Sequence, residues 1–176
     1  MLAADPAGLV IRPLNQSDSL EQLTDLLHRA YKALADRGLR YLATHQSEEI
    51  TRQRIARGTC FVAFIDDRLL GTITYHPKGM ARGSPWYNRP EVGKASQMAV
   101  EPEYQGQGIG RRLMDYVEEF ARADGAQELA MDTAETAHHL IEWYARRGYR
   151  FIEHCQWEVT NYRSVVMSKR LVDTGL

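Results

Sequence analysis

The sequence predicts a mixed α/β fold in which helices lie on the faces of a β-sheet, within a single domain spanning residues 1–176. The chain has 176 residues, a length at which roughly 70% of the unfolded surface can be buried without disulfides. Segments of period-two alternation interchange with segments whose apolar residues recur every three or four positions. No linker-like stretch divides them, so we expect one domain.

The first half of the chain predicts a strand, two helices and a β-hairpin. Residues 8–14 alternate between apolar and polar side chains and form the first predicted strand. Asp18 followed by Glu21 is a helix-start signature, and Gly38 ends the helix. The next predicted elements are a helix at 47–57, strands at 59–65 and 69–76, and a long loop at 77–93.

The second half predicts strands and helices in alternation. A short strand at 95–100 leads into a glycine-rich turn and a helix that begins at Ile109 and closes at Gly125. The remaining predicted elements are a strand at 128–132, a helix at 137–147, and strands at 149–157 and 163–171.

Composition and charge narrow the function classes. Hydrophobic residues make up 44% and charged residues 26% of the chain, which is typical of globular proteins. The 22 basic and 23 acidic residues give a formal net charge of -1, so nothing favours binding to nucleic acid or an anionic membrane. The sequence shows no recognisable secretory signal and no apolar run long enough to span a bilayer. We therefore expect a cytoplasmic protein.

The sequence predicts no disulfide scaffold and no metal site. The two cysteines, Cys60 and Cys155, are far apart and not in CxxC spacing. His138 and His139 are adjacent, so on a helix they would point about 100° apart and could not chelate one ion.

The most informative segment is the glycine-rich turn. Gly106, Gly108 and Gly110 lie between a predicted strand and a predicted helix. A helix N-terminus presents unpaired N–H groups and a partial positive charge, and glycine lets a phosphate approach the backbone. The turn is neither a P-loop, because GxxxxGK[ST] is absent, nor a dinucleotide fingerprint, because Arg111 stands where the third glycine belongs. A phosphate cradle and a ligand-free tight turn both fit the glycines alone.

Two segments resemble the GCN5-related N-acetyltransferase (GNAT) superfamily. Residues 105–110, Gln-Gly-Gln-Gly-Ile-Gly, match its Q/R-x-x-G-x-G/A signature, and they follow the strand 98–100 and the acidic-Pro-x-Tyr turn 101–104. Residues 143–151 are similar to the family's aromatic-Tyr-x-x-x-Gly-Phe segment. The order of the elements agrees over roughly residues 10–171.

The resemblance implies a mostly antiparallel central sheet with splayed strands that form an acyl-CoA cleft, and acetyl-CoA as co-substrate. In the family, main-chain groups of the strand before the turn pair with the pantetheine arm, and backbone amides of the turn hold the pyrophosphate. The pantetheine positions in this sequence are Met98, Ala99 and Val100. The pyrophosphate positions are Gln105, Gly106, Gln107, Gly108, Ile109, Gly110 and Arg111.

The resemblance also implies that Tyr144 is the general acid. A neutral phenol with a pKa of about 10 can donate a proton to a departing thiolate of comparable basicity. The other interpretation is that Tyr144 is a core aromatic on the same helix face as Leu140 and Ile141.

No residue is singled out as the general base. Histone-type members carry a glutamate on the strand before the turn, and an ungapped match places Lys94 there, which cannot act as a base without a large fall in its pKa. The family often has an asparagine where this chain has Ala137, and that asparagine binds the cofactor. The groups that could act through water are Glu91, Glu135, His138 and His76.

The implied activity is acetylation of a primary amine on a small molecule or a protein. An enzyme that uses another acyl-CoA and a non-catalytic acyl-CoA sensor are the alternatives. Family members are often dimers, and Trp86 and Tyr87 in the long loop are predicted either to stack on a substrate or a cation or to form a dimer contact. Other aromatic residues in regions that surround the acceptor in the family are Tyr31, Tyr41, Trp157 and Tyr162.

Overall fold

The computed structural model describes residues 6–81 and 83–172, which contain seven strands and four α-helices. Short 3₁₀ turns lie at Leu42–Thr44 and Pro102–Tyr104. In chain order the elements are β1 (Leu9–Pro13), α1 (Leu20–Ala35), α2 (Glu48–Ile55), β2 (Thr59–Ile65), β3 (Arg68–His76), β4 (Val92–Val100), α3 (Ile109–Ala123), β5 (Glu128–Ala134), α4 (His138–Arg146), β6 (Arg150–Gln156) and β7 (Arg163–Arg170).

The strands form one open sheet in the order β1-β2-β3-β4-β5-β7-β6. β1 pairs with β2, β2 with β3, and β7 with both β5 and β6, all antiparallel. β4 and β5 are parallel and pair from Val92↔Glu128 to Lys94↔Ala130. The predicted mixed α/β fold with a mostly antiparallel sheet is confirmed.

Every predicted helix and strand is present, and the largest difference concerns β4. This strand begins at Val92 rather than Ala95. Gly93 and Lys94 have weak strand propensity, but their register with β5 brings them into the sheet. The long loop is correspondingly shorter.

The chain divides into two compact units, each built from two stretches of sequence. The first unit contains the chain up to Tyr75 together with Gln97–Val117. The second contains His76–Ser96 and the chain from Glu118 onward. The single domain expected for residues 1–176 stays a prediction.

Helix α1 anchors the core of the first unit. The side chain of Ser19 caps the helix by accepting a hydrogen bond from the N–H of Gln22, which satisfies one of the unpaired donors of the first turn. Leu23, Leu26 and Leu27 are almost completely buried. Buried residues clustered with these leucines are Ala43, Cys60, Val62 and Ala99.

Asp18 does not cap α1, contrary to the helix-start signature. Its two carboxylate oxygens each accept a 2.7 Å hydrogen bond from the guanidinium of Arg12, and one of them also accepts from the N–H of Asn15. The hydrogen bond from Arg12 lowers the pKa of Asp18. The capping role therefore passes to Ser19, one residue later.

Gly71 allows close approach inside the first unit. A Cβ at this position on β3 would lie 2.9 Å from Leu113 Cδ1 and 3.2 Å from the carbonyl oxygen of Ala99. Because both distances are shorter than ordinary carbon contacts, a larger residue would push α3 away from the strand. Glycine thus fixes how α3 packs on β3.

The second unit buries part of the long loop. Tyr87 has no exposed surface, and it clusters with Val92, Ala130 and Val166. Trp86 is partly buried against the same cluster. Burial of Tyr87 contradicts the expectation of an exposed dimer contact at this residue, whereas the predicted stacking on a cation is present, because the Lys94 ammonium lies over the Tyr87 ring.

A buried carboxylate joins α3 to the end of the chain in the second unit. Glu118 is 4% exposed and accepts hydrogen bonds from Lys169 Nζ at 2.7 Å, Arg147 Nη2 at 3.0 Å and the Tyr149 hydroxyl at 3.1 Å. Burial raises the pKa of Tyr149 well above its ordinary value, and the charge of Glu118 adds to that effect. The tyrosine therefore stays a neutral donor, and the carboxylate is compensated by two cations.

Replacement of Glu118 by alanine should lower the free energy of unfolding by about 3–5 kcal/mol, because it leaves two largely buried cations without their shared anion. The measurement is chemical denaturation. Glu119→Ala changes the exposed neighbour on the same helix and should cost less than about 0.5 kcal/mol. Equal, small losses in the two variants would show that the Glu118 cluster does not stabilise the unit.

Candidate active site

The glycine-rich turn begins where β4 ends. The N–H of Glu101 donates to the carbonyl of Leu70 at 2.8 Å, and the Glu101 carboxylate accepts a bidentate pair of hydrogen bonds from Arg29. Pro102 opens the 3₁₀ turn that follows. These contacts fix the start of the turn to β3 and α1 within the first unit.

The two glutamines of the turn bind its own backbone. Gln105 Nε2 donates to the carbonyl of Val100 at 3.2 Å, and Gln107 Nε2 donates to the carbonyl of Glu103 at 3.1 Å. Both residues are exposed. Glutamine at these positions therefore stiffens the turn, a role that motif matching did not reveal.

Left-handed backbone shapes the rest of the turn. Gly106 has φ +76° and Gly108 has φ +92°, a region that residues with a Cβ rarely adopt. No atom lies within 4 Å of the position a Cβ would take at Gly106, so the backbone there is open. The first helical hydrogen bond runs from the N–H of Arg112 to the carbonyl of Gly108 at 3.0 Å. The N–H groups of Ile109 and Gly110, which precede this bond, consequently have no partner within the helix.

The predicted cofactor-binding residues all belong to the first unit. Residues 105–107 are exposed, and Met98, Gly108, Gly110 and Arg111 are half-buried. Ala99, Val100 and Ile109 are buried, so only their main chain could contact a cofactor, and that contact stays a prediction. The Arg111 guanidinium lies 3.7 Å from Asp115 along α3.

Gln97, immediately before the pantetheine positions, has an irregular backbone that the sequence did not predict. Its φ of +53° lies in the left-handed region within a strand, a conformation that costs of order 1–3 kcal/mol for a residue other than glycine. Gln46 Nε2 donates to Gln97 Oε1 at 3.0 Å and to Thr51 Oγ1 at 2.7 Å. Arg54 donates to Gln46 Oε1 at 2.6 Å and, because a guanidinium only donates, it fixes which way the amide of Gln46 points.

Tyr144 belongs to the second unit and lies on α4. Its ring makes edge contacts with Trp143, at 5.1 Å between centroids, and with Tyr149, at 5.9 Å. Tyr144 is half-buried, whereas Tyr149 is almost fully buried. The helix ends at Arg146, and left-handed backbone at Gly148 (φ +92°) follows its C-cap, so that the N–H of Tyr149 donates to the carbonyl of Tyr144. The aromatic neighbours hold the ring while part of the side chain stays accessible.

The two carboxylates considered as bases are both paired with arginine. Glu135 accepts hydrogen bonds from Arg163 at 2.7 and 2.9 Å, and these lower the pKa of Glu135. Glu91 accepts from Arg89 Nε at 2.7 Å. Pairing with Arg163 makes Glu135 a weaker base, and the Glu91 carboxylate is occupied by Arg89, so neither stands out for proton abstraction.

The two histidines considered as possible bases, His76 and His138, and Ala137, which replaces the family's asparagine, have different environments. His76 Nε2 lies 2.8 Å from Ser96 Oγ. His138 is exposed in the first turn of α4. Ala137 is buried at the N-cap of this helix and provides no side-chain cap.

Lys94, at the position of the family's glutamate, lies beside a carboxylate. Its Nζ is 3.3 Å from Asp132 Oδ1. The rings of Tyr87 and Trp157 flank the ammonium, with centroids at 4.3 and 4.6 Å. Sequence reasoning named Lys94, Tyr87 and Trp157 separately but missed Asp132, which joins them.

Within residues 6–81 and 83–172, no group of three or more His, Cys, Asp or Glu residues is placed to hold a metal ion. Nor is any helix in them long and apolar enough to cross a bilayer.

Comparison with known proteins identifies the family. Residues 20–149 match the Acetyltransferase (GNAT) family. The chain is 31% identical over 134 residues to S-(2-succino)cysteine N-acetyltransferase of Bacillus subtilis, which covers 73% of this chain and 77% of that protein. It is 28% identical over 138 residues to S-alkylcysteine N-acetyltransferase of the same organism, covering 75% and 74%.

A solved structure supports the fold. A GNAT family acetyltransferase from Elizabethkingia anophelis, with acetyl-CoA bound, superimposes with a TM-score of 0.67 at 17% identity. The match covers 94% of this chain and 99% of that one. At this identity the likeness concerns the fold alone.

The chain belongs to the GNAT acetyltransferase family and is an acyltransferase. This confirms the family resemblance, the enzyme class and acetyl-CoA as co-substrate. It supports catalysis over the alternative of a non-catalytic sensor. The roles of individual site residues stay predictions.

Gly108→Asp should weaken CoA binding by a factor on the order of 10² or more, since each 1.4 kcal/mol is tenfold and the change adds both bulk and negative charge to the proposed pyrophosphate site. Calorimetric titration with CoA gives the affinity. The matched control is Gly38→Asp, which introduces the same residue at a left-handed position (φ +80°) with open space around it. CoA affinity equal in the two variants would exclude this turn as the phosphate site.

Proposed function

We propose that this chain transfers the acetyl group of acetyl-CoA to the α-amino group of an amino acid, with S-substituted cysteines as the leading acceptors. The observation that carries the acceptor class is the similarity to S-(2-succino)cysteine N-acetyltransferase over most of both chains. The second relative is named for S-alkylcysteine. Both acceptors present a primary amine beside a carboxylate. A cytoplasmic location and a small-molecule rather than nucleic-acid partner belong to the proposal.

The cofactor would be held mainly by backbone. The strand segment Met98–Ala99–Val100 would pair with the pantetheine arm through its peptide groups, so the burial of the Ala99 and Val100 side chains is compatible with this contact. The open left-handed turn at Gly106 and Gly108 supports a pyrophosphate site, because helix N-terminal amides and nearby glycines suit an anion.

The transfer itself requires two proton movements. The acceptor amine, in its neutral form, adds its nitrogen to the acetyl carbonyl carbon; the nitrogen then loses one proton to water, and the carbon–sulfur bond breaks with the sulfur leaving as a thiolate. A backbone N–H near the bound carbonyl would stabilise the oxyanion between these steps. Tyr144 would donate its hydroxyl proton to the departing sulfur and regain one from solvent. Its partial exposure supports that exchange.

The test of this function is release of CoA thiol with a panel of amines. The panel contains S-(2-succino)cysteine, S-methylcysteine, unmodified amino acids, a polyamine and a lysine peptide, each with acetyl-CoA and with propionyl-CoA. Fastest turnover of an S-substituted cysteine with acetyl-CoA is expected. Preference for the polyamine or peptide would overturn the acceptor class, and preference for propionyl-CoA would favour the alternative acyl donor.

Tyr144→Phe should lower kcat by about 10²–10⁴, the range for a lost general acid, while CoA affinity and melting temperature change little. Tyr149→Phe is the matched control, because it removes the hydroxyl of a buried neighbour that binds Glu118. That control should lose stability but keep kcat near wild type at a temperature where it is folded. Wild-type turnover by Tyr144→Phe would make Tyr144 a packing residue.

A homodimer is also part of the proposal, although Tyr87 is buried and does not support it. The support comes from β6, an edge strand of the sheet, on which Phe151 is 55% exposed. Edge strands with exposed apolar residues are prone to associate. Light scattering at micromolar concentration should give twice the chain mass of 20.1 kDa, and a value near the chain mass would contradict the dimer.

A further inference from the structure

Lys94 carries an ammonium group whose donors are not used within the second unit. Its side chain is only 16% exposed, and Nζ lies 3.3 Å from Asp132 Oδ1. Over the part of the chain that the structure describes, this ion pair and two aromatic contacts are its interactions, and none is a hydrogen bond. An ammonium that has lost most of its water normally requires oxygen acceptors for its three N–H donors.

Asp132 is bound by other donors and does not depend on Lys94. Oδ1 accepts a hydrogen bond from the Tyr87 hydroxyl at 2.8 Å, and Oδ2 accepts from Trp157 Nε1 at 2.9 Å. Burial and the nearby carboxylate raise the pKa of Tyr87 well above its ordinary value, so its hydroxyl stays a donor. Both oxygens are therefore fixed by neutral groups at shorter distances than that to the lysine.

The aromatic rings hold the ammonium without supplying an oxygen. Tyr87 and Trp157 are nearly parallel, at 18° and with centroids 6.3 Å apart, and Lys94 lies over both faces. Cation–π contacts stabilise the positive charge of the ammonium, but they do not accept hydrogen bonds from its N–H groups as carboxylate oxygens would. The neighbouring Cys155 thiol offers no anion, because burial raises the pKa of Cys155 to about 11.

The geometry points to Lys94 as the binding group for the carboxylate of the acceptor. A carboxylate is the anionic oxygen ligand that an amino-acid substrate brings, and charge-assisted hydrogen bonds to it are stronger than neutral ones. Lys94 then acts as a specificity-determining residue. The negative charge of Asp132 partly neutralises the Lys94 ammonium and so limits how strongly that ammonium attracts the substrate carboxylate. This inference rests on the proposed function, since it assumes an amino-acid acceptor.

The experiment compares S-methylcysteine with 2-(methylthio)ethylamine, which is the same molecule without its carboxylate. The measured quantity is the ratio of kcat/KM for the acid to kcat/KM for the amine. A preparation that is partly misfolded loses both activities equally, so the ratio reports recognition of the carboxylate alone.

Lys94→Met should lower this ratio about 10–100-fold, as expected for loss of a charged hydrogen bond. Lys94→Arg should recover much of the ratio because it restores the positive charge. Asp132→Asn should raise the ratio above wild type, because it removes the negative charge that partly neutralises Lys94. Lys32→Met serves as the control, since Lys32 is an exposed lysine on α1 paired with Asp36, and it should leave the ratio unchanged.

The outcomes separate this inference from the proposed function. If the wild-type enzyme acetylates both probes but Lys94→Met keeps the wild-type ratio, Lys94 and Asp132 are a structural ion pair and the inference is wrong. If Lys94→Met lowers kcat/KM for the acid and for the amine by the same factor, the ratio is again unchanged and the inference is likewise wrong. If the wild-type enzyme does not acetylate S-methylcysteine, the amino-acid function fails, and the inference fails with it.

Discussion

Left-handed backbone between β4 and α3 is the constraint on which the candidate cofactor site depends. Gly106 and Gly108 allow the chain to pass from the 3₁₀ turn after β4 into a helix in which the N–H groups of Ile109 and Gly110 have no intrahelical partner. The contacts of Glu101 with Leu70 and Arg29 fix the beginning of this turn. Gly71 fixes the helix that follows, by letting β3 approach Leu113. The first unit thus positions the proposed anion site between fixed parts of β3, α1 and α3.

In the second unit, the carboxylates of Glu118 and Asp132 have different kinds of partner. Glu118 is compensated by two cations and a hydroxyl, which is the arrangement expected of a stabilising cluster. Asp132 is bound by two neutral donors, so the cation beside it is only partly neutralised. A buried charge without full compensation is costly for folding. Such a cost is commonly found where a protein binds a ligand.

The sequence predicted the order of elements well because periodicity and glycine positions are local signals. The strand–turn–helix around Gly106–Gly110 could be read directly, and so could the family it resembles. The interactions that the sequence did not predict join distant positions. Gln46 meets Gln97 51 residues later, and Tyr87 meets Asp132 45 residues later. Burial of Tyr87 in a segment rich in proline and glycine has no local signature either.

The most direct test of acetyl transfer to an amino acid follows the acetyl carbon itself. Acetyl-CoA labelled with ¹³C at the carbonyl is incubated with S-methylcysteine and the enzyme, and the products are observed by NMR while CoA thiol is quantified. The account predicts a new amide carbonyl signal from N-acetyl-S-methylcysteine that grows in one-to-one proportion with the thiol. Label appearing only as free acetate, or remaining on CoA, would contradict it.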